Sequence, residues 1–337
     1  MVPVIDFRGK NVEKQMYDAY TTVGFAVFTN VFNTFISEFE DWFQVAQEFF
    51  NLPLETRRKY QYSGVKENIG YSWIEEGQAH PQRPGDLKES YNWVSPDRMK
   101  EEYWPTELPE FKPLAQKILR VCQLNTYEFL YKFESILKQP YGTFVENHVD
   151  GSATMSMIKY PVWEGEVKED QMRVNEHSDF GSITLLHRFD DVSGLEIQNL
   201  DGEWIDVPVV ENSIVLNVAD MFQRWSNDTL RSAKHRVRAT HLDKERWSMP
   251  YFVDPGRDVM IKNLTDQPAK YEPISGYEYL KWRLAQMYSP DTDNYEEKEE
   301  LKKEEVKTEE VKPYAFKTNP EVKEEKPGDL LLTEEAK

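Results

Sequence analysis

Glu176-His177-Ser178-Asp179-Phe180-Gly181-Ser182-Ile183-Thr184-Leu185-Leu186 sets a histidine and an aspartate two residues apart, just ahead of a short apolar run that reads as a strand. On either side of it the chain has one texture. Short β-like runs at Thr154–Tyr160, Ser182–Arg188, Leu195–Gln198, Glu203–Val207, Ser213–Val218, Lys234–Ala239, Trp247–Val253 and Val259–Lys262 are separated by Gly, Asp and Asn. Turn signals at that spacing predict an antiparallel sandwich or barrel. A helix over Gly276–Tyr288 closes this region. Upstream, Val2–Phe7 and Gly24–Phe28 read as strands and Asn11–Val23 as a helix. Phe35, Phe39, Trp42, Phe43, Ala46, Phe49 and Phe50 fall at three- and four-residue spacings, an amphipathic helix that Pro53 ends. A longer helical pattern runs from Glu110 to Leu137, with Cys122 in its apolar stripe as a small buried hydrophobe. Helices first and strands later argue against a doubly wound sheet.

The 337 residues are 39% hydrophobic and include 9 Trp, 18 Tyr and 18 Phe, enough to build a core and to exclude a wholly disordered chain. A formal charge of −19 repels phosphate backbones, so neither nucleic acid nor an anionic membrane is expected as a partner. No apolar run reaches the ~20 residues a bilayer crossing needs. The opening Met1-Val2-Pro3-Val4-Ile5-Asp6 has none of the marks of a secretory signal, and a single cysteine permits no internal disulfide, so a cytoplasmic location is expected. From Asp291 to Lys337 the chain carries 16 acidic and 9 basic residues and almost no apolar periodicity. Such a segment reads as a solvated tail, disordered or loosely helical. The expected organisation is therefore an N-terminal helical and strand region over 1–152, a β core with its closing helix over 153–290, and the tail over 291–337.

If the His177–Asp179 stretch is extended, both side chains project from one face, and one strand end offers an imidazole and a carboxylate to one metal ion. His235, in Ser232-Ala233-Lys234-His235-Arg236-Val237, lies 58 residues further on, where a sheet folding back could bring it alongside. Two imidazoles and a carboxylate make the facial triad of non-heme Fe(II) sites. The plain alternative is a surface histidine beside an aspartate. Arg246 and Ser248 are again two apart in a predicted strand, a guanidinium fork and a hydroxyl suited to a carboxylate. The plain alternative there is a strand-edge salt bridge to Glu245 or Asp243. Tyr71, Trp73, Tyr91 and Trp93 form an aromatic cluster whose first two members are candidates for a substrate pocket, although aromatics at strand spacing also build cores. His80, His148, His187 and His241 are read as structural or exposed.

The segment Glu176–Leu186 resembles the iron-binding stretch of the iron/2-oxoglutarate-dependent dioxygenases, in particular the isopenicillin N synthase-like branch. So do Gly194-Leu195-Glu196-Ile197, Gly202-Glu203-Trp204-Ile205, Val215–Asp220, Trp225-Ser226-Asn227-Asp228 and His235-Arg236-Val237. Val2–Phe7, Gly24-Phe25 and Asp86-Leu87-Lys88-Glu89 are similar to that branch's N-terminal region, so the likeness covers residues 1–290. It implies a distorted double-stranded β-helix, a jelly roll, wrapped by N-terminal helices. It implies Fe(II) on His177, Asp179 and His235, and 2-oxoglutarate as cosubstrate, with its distal carboxylate on Arg246 and Ser248 and Tyr160 reaching the same molecule. Phe252 matches a position that packs on substrate in some members, and Ile158 stands where many members carry an asparagine. The implied reaction uses O2 to oxidise, by default hydroxylate, a small organic substrate, releasing succinate and CO2. Two other readings of the same residues are an iron-dependent oxidase that does not use 2-oxoglutarate and a metal-binding β-helix scaffold protein. Zinc in the same triad, serving hydrolysis, ranks last, since the clamp has no role there.

Overall fold

Residues 1–64, 67–76, 83–149 and 153–288 are described by the computed structural model. In chain order they form β1 (Val4–Asp6), α1 (Val12–Thr22), β2 (Phe25–Thr29), α2 (Ile36–Asn51), α3 (Leu54–Arg57), β3 (Gly70–Ser72) and β4 (Glu89–Val94). Then come α4 (Phe111–Ile136), α5 (Thr143–His148), β5 (Thr154–Tyr160), β6 (Val174–His177), β7 (Ile183–Arg188) and β8 (Leu195–Gln198). The chain continues through β9 (Trp204–Asp206), β10 (Ser213–Val218), α6 (Asp220–Trp225), β11 (His235–Val237) and β12 (Arg246–Val253). It closes with β13 (Met260–Ile261), β14 (Ile274–Ser275) and α7 (Gly276–Tyr288). His80 and the acidic tail lie outside the described residues.

Among the described residues the strands make an eight-stranded sheet, ordered β1-β2-β10-β7-β12-β5-β4-β3, a four-stranded sheet, ordered β6-β11-β8-β9, and a two-stranded sheet of β13 and β14. From β6 to β12 the chain passes back and forth between the first two. That alternation gives a distorted double-stranded β-helix. The first four strands extend the larger sheet at both edges: β2 pairs antiparallel with β10, and β4 with β5.

Period-two alternation sorts the large sheet's side chains. On β12, Trp247, Met249, Tyr251 and Val253 enter an aromatic-rich core shared with α1, α2 and α4. Arg246, Ser248, Pro250 and Phe252 face the other way, into a cavity between the sheets. On β5 the same split sends Met155 and Met157 to the helices and Thr154, Ser156, Ile158 and Tyr160 to the cavity. A second apolar cluster, including Phe25, Val27, Ile197 and Val215, joins the two sheets beside it.

The four long helices, α1, α2, α4 and α7, follow the sequence closely, whereas the short α3, α5 and α6 are not read as helices from it. On α2, Phe39, Trp42, Ala46, Phe49 and Phe50 are buried, and Leu52, at ψ 152, turns extended before Pro53. Pro113 is tolerated in α4 because it sits in the first turn, where no intrahelical N–H is required. Cys122 is buried in the stripe, as expected, and burial pushes its thiol far up.

One buried carboxylate joins α4 to α5. Glu134, 2% exposed, accepts hydrogen bonds from the N–H groups of Gly142 (2.8 Å), Phe144 (2.7 Å) and Val145 (3.3 Å). Glu134→Ala strands those donors, and a loss of stability on the order of 2–4 kcal/mol is expected, read as a lower denaturant midpoint.

Strands β3 and β4 are not read as strands from sequence, and β6 only conditionally. Their polar residues are buried (Glu89, Ser90, Asn175) or half-buried (Ser72, Asn92, Glu176, His177), so the apolar–polar contrast that marks a half-exposed strand is absent.

Candidate active site

Strand pairing brings His177 and His235 together. β11 runs antiparallel to β6 with His235 directly opposite His177, and their ring centroids are 4.2 Å apart. β6 ends at His177, so Asp179 comes from the turn beyond the strand rather than from its face. Its Oδ1 still lies 3.7 Å from His177 Nε2 and 3.6 Å from His235 Nε2. The three ligand atoms all fall within 4.8 Å of one another.

The surroundings orient each donor atom. His177 Nδ1 lies 2.8 Å from the Asn175 carbonyl and His235 Nδ1 lies 3.2 Å from that of Ala233. Each Nδ1–H donates to its carbonyl, which leaves both Nε2 lone pairs aimed at the shared point. Asp179 Oδ2 accepts from Thr184 Oγ1 at 2.6 Å and Asn217 Nδ2 at 2.8 Å, leaving Oδ1 for a cation. Burial, reinforced by His235, holds the His177 ring down at about 4, so it is neutral at pH 7 and needs to lose no proton to bind metal. Burial alone would raise the Asp179 carboxyl; the two imidazoles and the Thr184 and Asn217 hydrogen bonds outweigh it and keep the group below the usual carboxylate range. Two imidazoles and one carboxylate suit a divalent ion such as Fe(II).

The loop is braced from below. The Asp220 N–H donates to the Asp179 carbonyl at 2.9 Å, and Asp220 Oδ2 accepts from Ser178 Oγ at 3.1 Å and pairs with Arg283. Thr184, Asn217 and Asp220 stand in stretches quoted above, yet the sequence assigns them no role. A lone Asn amid the apolar Ile214–Val218 run is the signal that could have found Asn217. Thr184→Val removes one donor to Asp179 while keeping the shape, and Fe(II) affinity is expected to fall about 10–100-fold. An anaerobic iron titration checks it.

Arg246 is 1% exposed and faces Tyr160 across the β12–β5 ladder, its guanidinium 4.7 Å from the Tyr160 ring. Arg246 Nη1 reaches Ser248 Oγ at 3.5 Å, and Ser248 Oγ donates to Tyr160 at 3.4 Å. Neither Glu245 nor Asp243 takes the cation: Glu245 pairs with Lys159 at 3.0 Å. Arg246 Nε is buried without a hydrogen-bond partner. A buried guanidinium with no carboxylate beside it is costly unless a ligand supplies one. Ile158, directly opposite Ser248, adds only an apolar wall.

Metal site and clamp open into one cavity of about 1210 Å³. Phe252 lines it. Tyr71 and Trp73 do not: Ser72, between them, faces the cavity. Tyr71 turns into the aromatic core with its hydroxyl on Glu89, and Trp73 packs under Arg58 at 4.7 Å. The other described histidines are elsewhere. His148 bridges the Phe144 carbonyl and Ser182, His187 stacks on Phe39, and His241 sits in a loop near Ser193.

Two imidazoles and a carboxylate converging in a double-stranded β-helix, with a buried guanidinium in the same cavity, make a candidate metal-dependent oxygenase site. Residues 135–255 match the 2OG-Fe(II) oxygenase superfamily, and residues 2–113 match the N-terminal region described as that of the non-haem dioxygenase in morphine synthesis. The chain is 32% identical to proline hydroxylase buaE of Petromyces alliaceus over 82% of this chain and 93% of that protein. It is equally close, at 32%, to a UPF0676 protein of Schizosaccharomyces pombe, over 84% and 91%. The crystal structure of a full-length Neurospora crassa protein in complex with alpha-KG superimposes with a TM-score of 0.75 at 29% identity, covering 84% of this chain and 96% of that one. The chain belongs to the 2OG-Fe(II) oxygenase superfamily: it is an Fe(II)- and 2-oxoglutarate-dependent dioxygenase.

Proposed function

We propose that His177, Asp179 and His235 hold the ferrous ion, that Arg246, Ser248 and Tyr160 hold the distal carboxylate of 2-oxoglutarate, and that a small organic substrate is hydroxylated in the cavity lined by Phe252. The observation that carries this is the unpaired Arg246 guanidinium sharing a cavity with three converging ligand atoms. Bound there, Fe(II) and 2-oxoglutarate supply the oxidising chemistry: one oxygen atom of O2 ends in succinate as CO2 leaves, the other in the substrate's new hydroxyl. The protein's part is geometric and electrostatic. Thr184 and Asn217 fix one carboxylate oxygen so that the other stays available, and the two backbone carbonyls set the imidazole tautomers. Arg246 neutralises and orients the diacid, while apolar walls from Phe25, Ile158, Leu186 and Phe252 keep bulk water from the reacting end.

A small substrate is in keeping with a relative named as a proline hydroxylase and with a Neurospora crassa crystal structure that contains thymine beside alpha-KG. The formal charge of −19 supports an enzyme that meets neither nucleic acid nor anionic membranes, and the single cysteine is in keeping with a cytoplasmic location; no helix among the described residues is long and apolar enough to cross a membrane. The test is iron-dependent release of succinate from 2-oxoglutarate under O2. An iron-loaded protein that neither binds nor turns over 2-oxoglutarate would sink the proposal.

A further inference from the structure

Away from the ligand triad and the Arg246 clamp, the cavity holds a second set of opposite charges that the reaction as described does not use. Arg98 follows β4 and Asp254 follows β12, at the sheet end where Val94 and Phe252 both pair with Thr154. Both line the cavity. Asp254 is 8% exposed, and no side-chain hydrogen bond or ion pair to it is seen among the described residues. Arg98 has its Nη1 buried without an acceptor. Burial pushes the Asp254 carboxyl up to about 7, Arg98 opposing the rise and Asp179 adding to it, yet no ion pair joins Asp254 to Arg98 among the described residues. Arg257, at the cavity rim, adds a second positive charge beside Arg98.

Arg98 as a whole is half-buried, but holding its buried Nη1 and the buried Asp254 carboxylate apart leaves each without a protein partner, and that is sustained only where something else completes them. Asp254 is the member nearer the metal loop. Its Oδ1 fills the space a Cβ on Gly181 would need, two residues beyond the ligand Asp179. A ligand carrying only a carboxylate would satisfy Arg98 and be repelled by Asp254, and one carrying only an amine would do the reverse. A head group with both charges close together satisfies the two at once and adds no net charge to the cavity.

We infer that Arg98 and Asp254 are the specificity-determining pair of this enzyme, and that the substrate is an α-amino acid bound with its carboxylate on Arg98 and its ammonium on Asp254. This rests on the cavity being the oxygenase site. Seated there, the amino acid presents its side chain, rather than its charged end, toward the ligand triad.

The test uses the full chain loaded with Fe(II) and 2-oxoglutarate. Succinate release is measured with each common L-amino acid, and the best responder is compared with its decarboxylated amine and its N-acetyl derivative. Stimulation by at least one amino acid is expected, with each truncated or blocked form weaker by about 30-fold or more. R98Q should raise the KM for that amino acid by a similar factor, and D254N should remove the preference for the free over the N-acetylated form. Should R98Q fail to fold, R98K keeps the charge and loses the fork, and is expected to weaken binding in the same direction. No stimulation by any amino acid, equal response to the amine and acetyl forms, or an unchanged KM in a folded Arg98 variant overturns the inference. The anaerobic charge-transfer band of iron-bound 2-oxoglutarate separates the two levels: if it forms in a protein that ignores amino acids, the inference alone falls, and if it never forms, the oxygenase site falls with it.

Discussion

Asp179→Ala is expected to leave a folded protein that no longer retains Fe(II), with affinity lowered by at least about 100-fold and no measurable succinate release. Asp179 contributes the only negative charge among the three ligands, so its loss leaves two imidazoles to hold a dication in the site. The loss is larger than that of one coordinate bond, because the cost of desolvating the ion is no longer offset by an adjacent anion. Without metal the balance differs. The substitution frees Thr184 Oγ1 and Asn217 Nδ2 from their shared acceptor, but it also removes a buried carboxylate, and these effects oppose each other. The ligand-free melting temperature should therefore move little while the stabilisation conferred by Fe(II) disappears. Anaerobic equilibrium dialysis beside a thermal melt with and without iron reads both, and retention of one equivalent of iron at wild-type affinity would refute the ligand assignment.

The same residues show where sequence reasoning reached and where it stopped. His177, Asp179, Arg246 and Ser248 were accessible because each pair is two apart on or beside a strand, and alternation is a local rule. His235 is a candidate in the sequence only if a sheet folds back, and it is the pairing of β11 with β6 that puts it opposite His177. Thr184 and Asn217 act together because they are directly opposed across β7 and β10, a relation between residues far apart in the chain that no local pattern announces. Tyr71 and Trp73 failed as pocket residues for the converse reason. Alternation specifies that neighbours face opposite ways, but not which parity faces the cavity, and here Ser72, paired with Ser90 and then Ile158, takes that side. Arg98 and Asp254 follow strand ends in stretches with no motif, and their relation emerges only from the sheet that sets those ends side by side.

Arg246→Ala is expected to raise the 2-oxoglutarate concentration needed for half-maximal turnover by about 30–1000-fold, while Fe(II) affinity changes far less. Ser248→Ala, which removes one neutral hydroxyl, should cost only about 2–10-fold on the same measure. Arg246→Lys keeps the charge without the fork and should fall between them. The effect on the ligand-free protein separates a cosubstrate clamp from a structural salt bridge. A structural bridge would make Arg246→Ala strongly destabilising, since a carboxylate would be left behind. Here no ion pair to Arg246 is seen among the described residues, and its charged neighbours include Arg173 and Arg188. Burial, with Arg246 adding to it, already holds the Arg188 guanidinium down at about 10. Removing Arg246 relieves that repulsion and offsets the lost contact with the Tyr160 ring, so the ligand-free melting temperature should hold or rise. Added 2-oxoglutarate should then no longer raise it, because the diacid would have to bury its far carboxylate beside Tyr160 and Ser248 without the fork that matches it. A large drop in ligand-free stability together with an unchanged requirement for 2-oxoglutarate would mean that the guanidinium supports the fold and that the cosubstrate is gripped elsewhere.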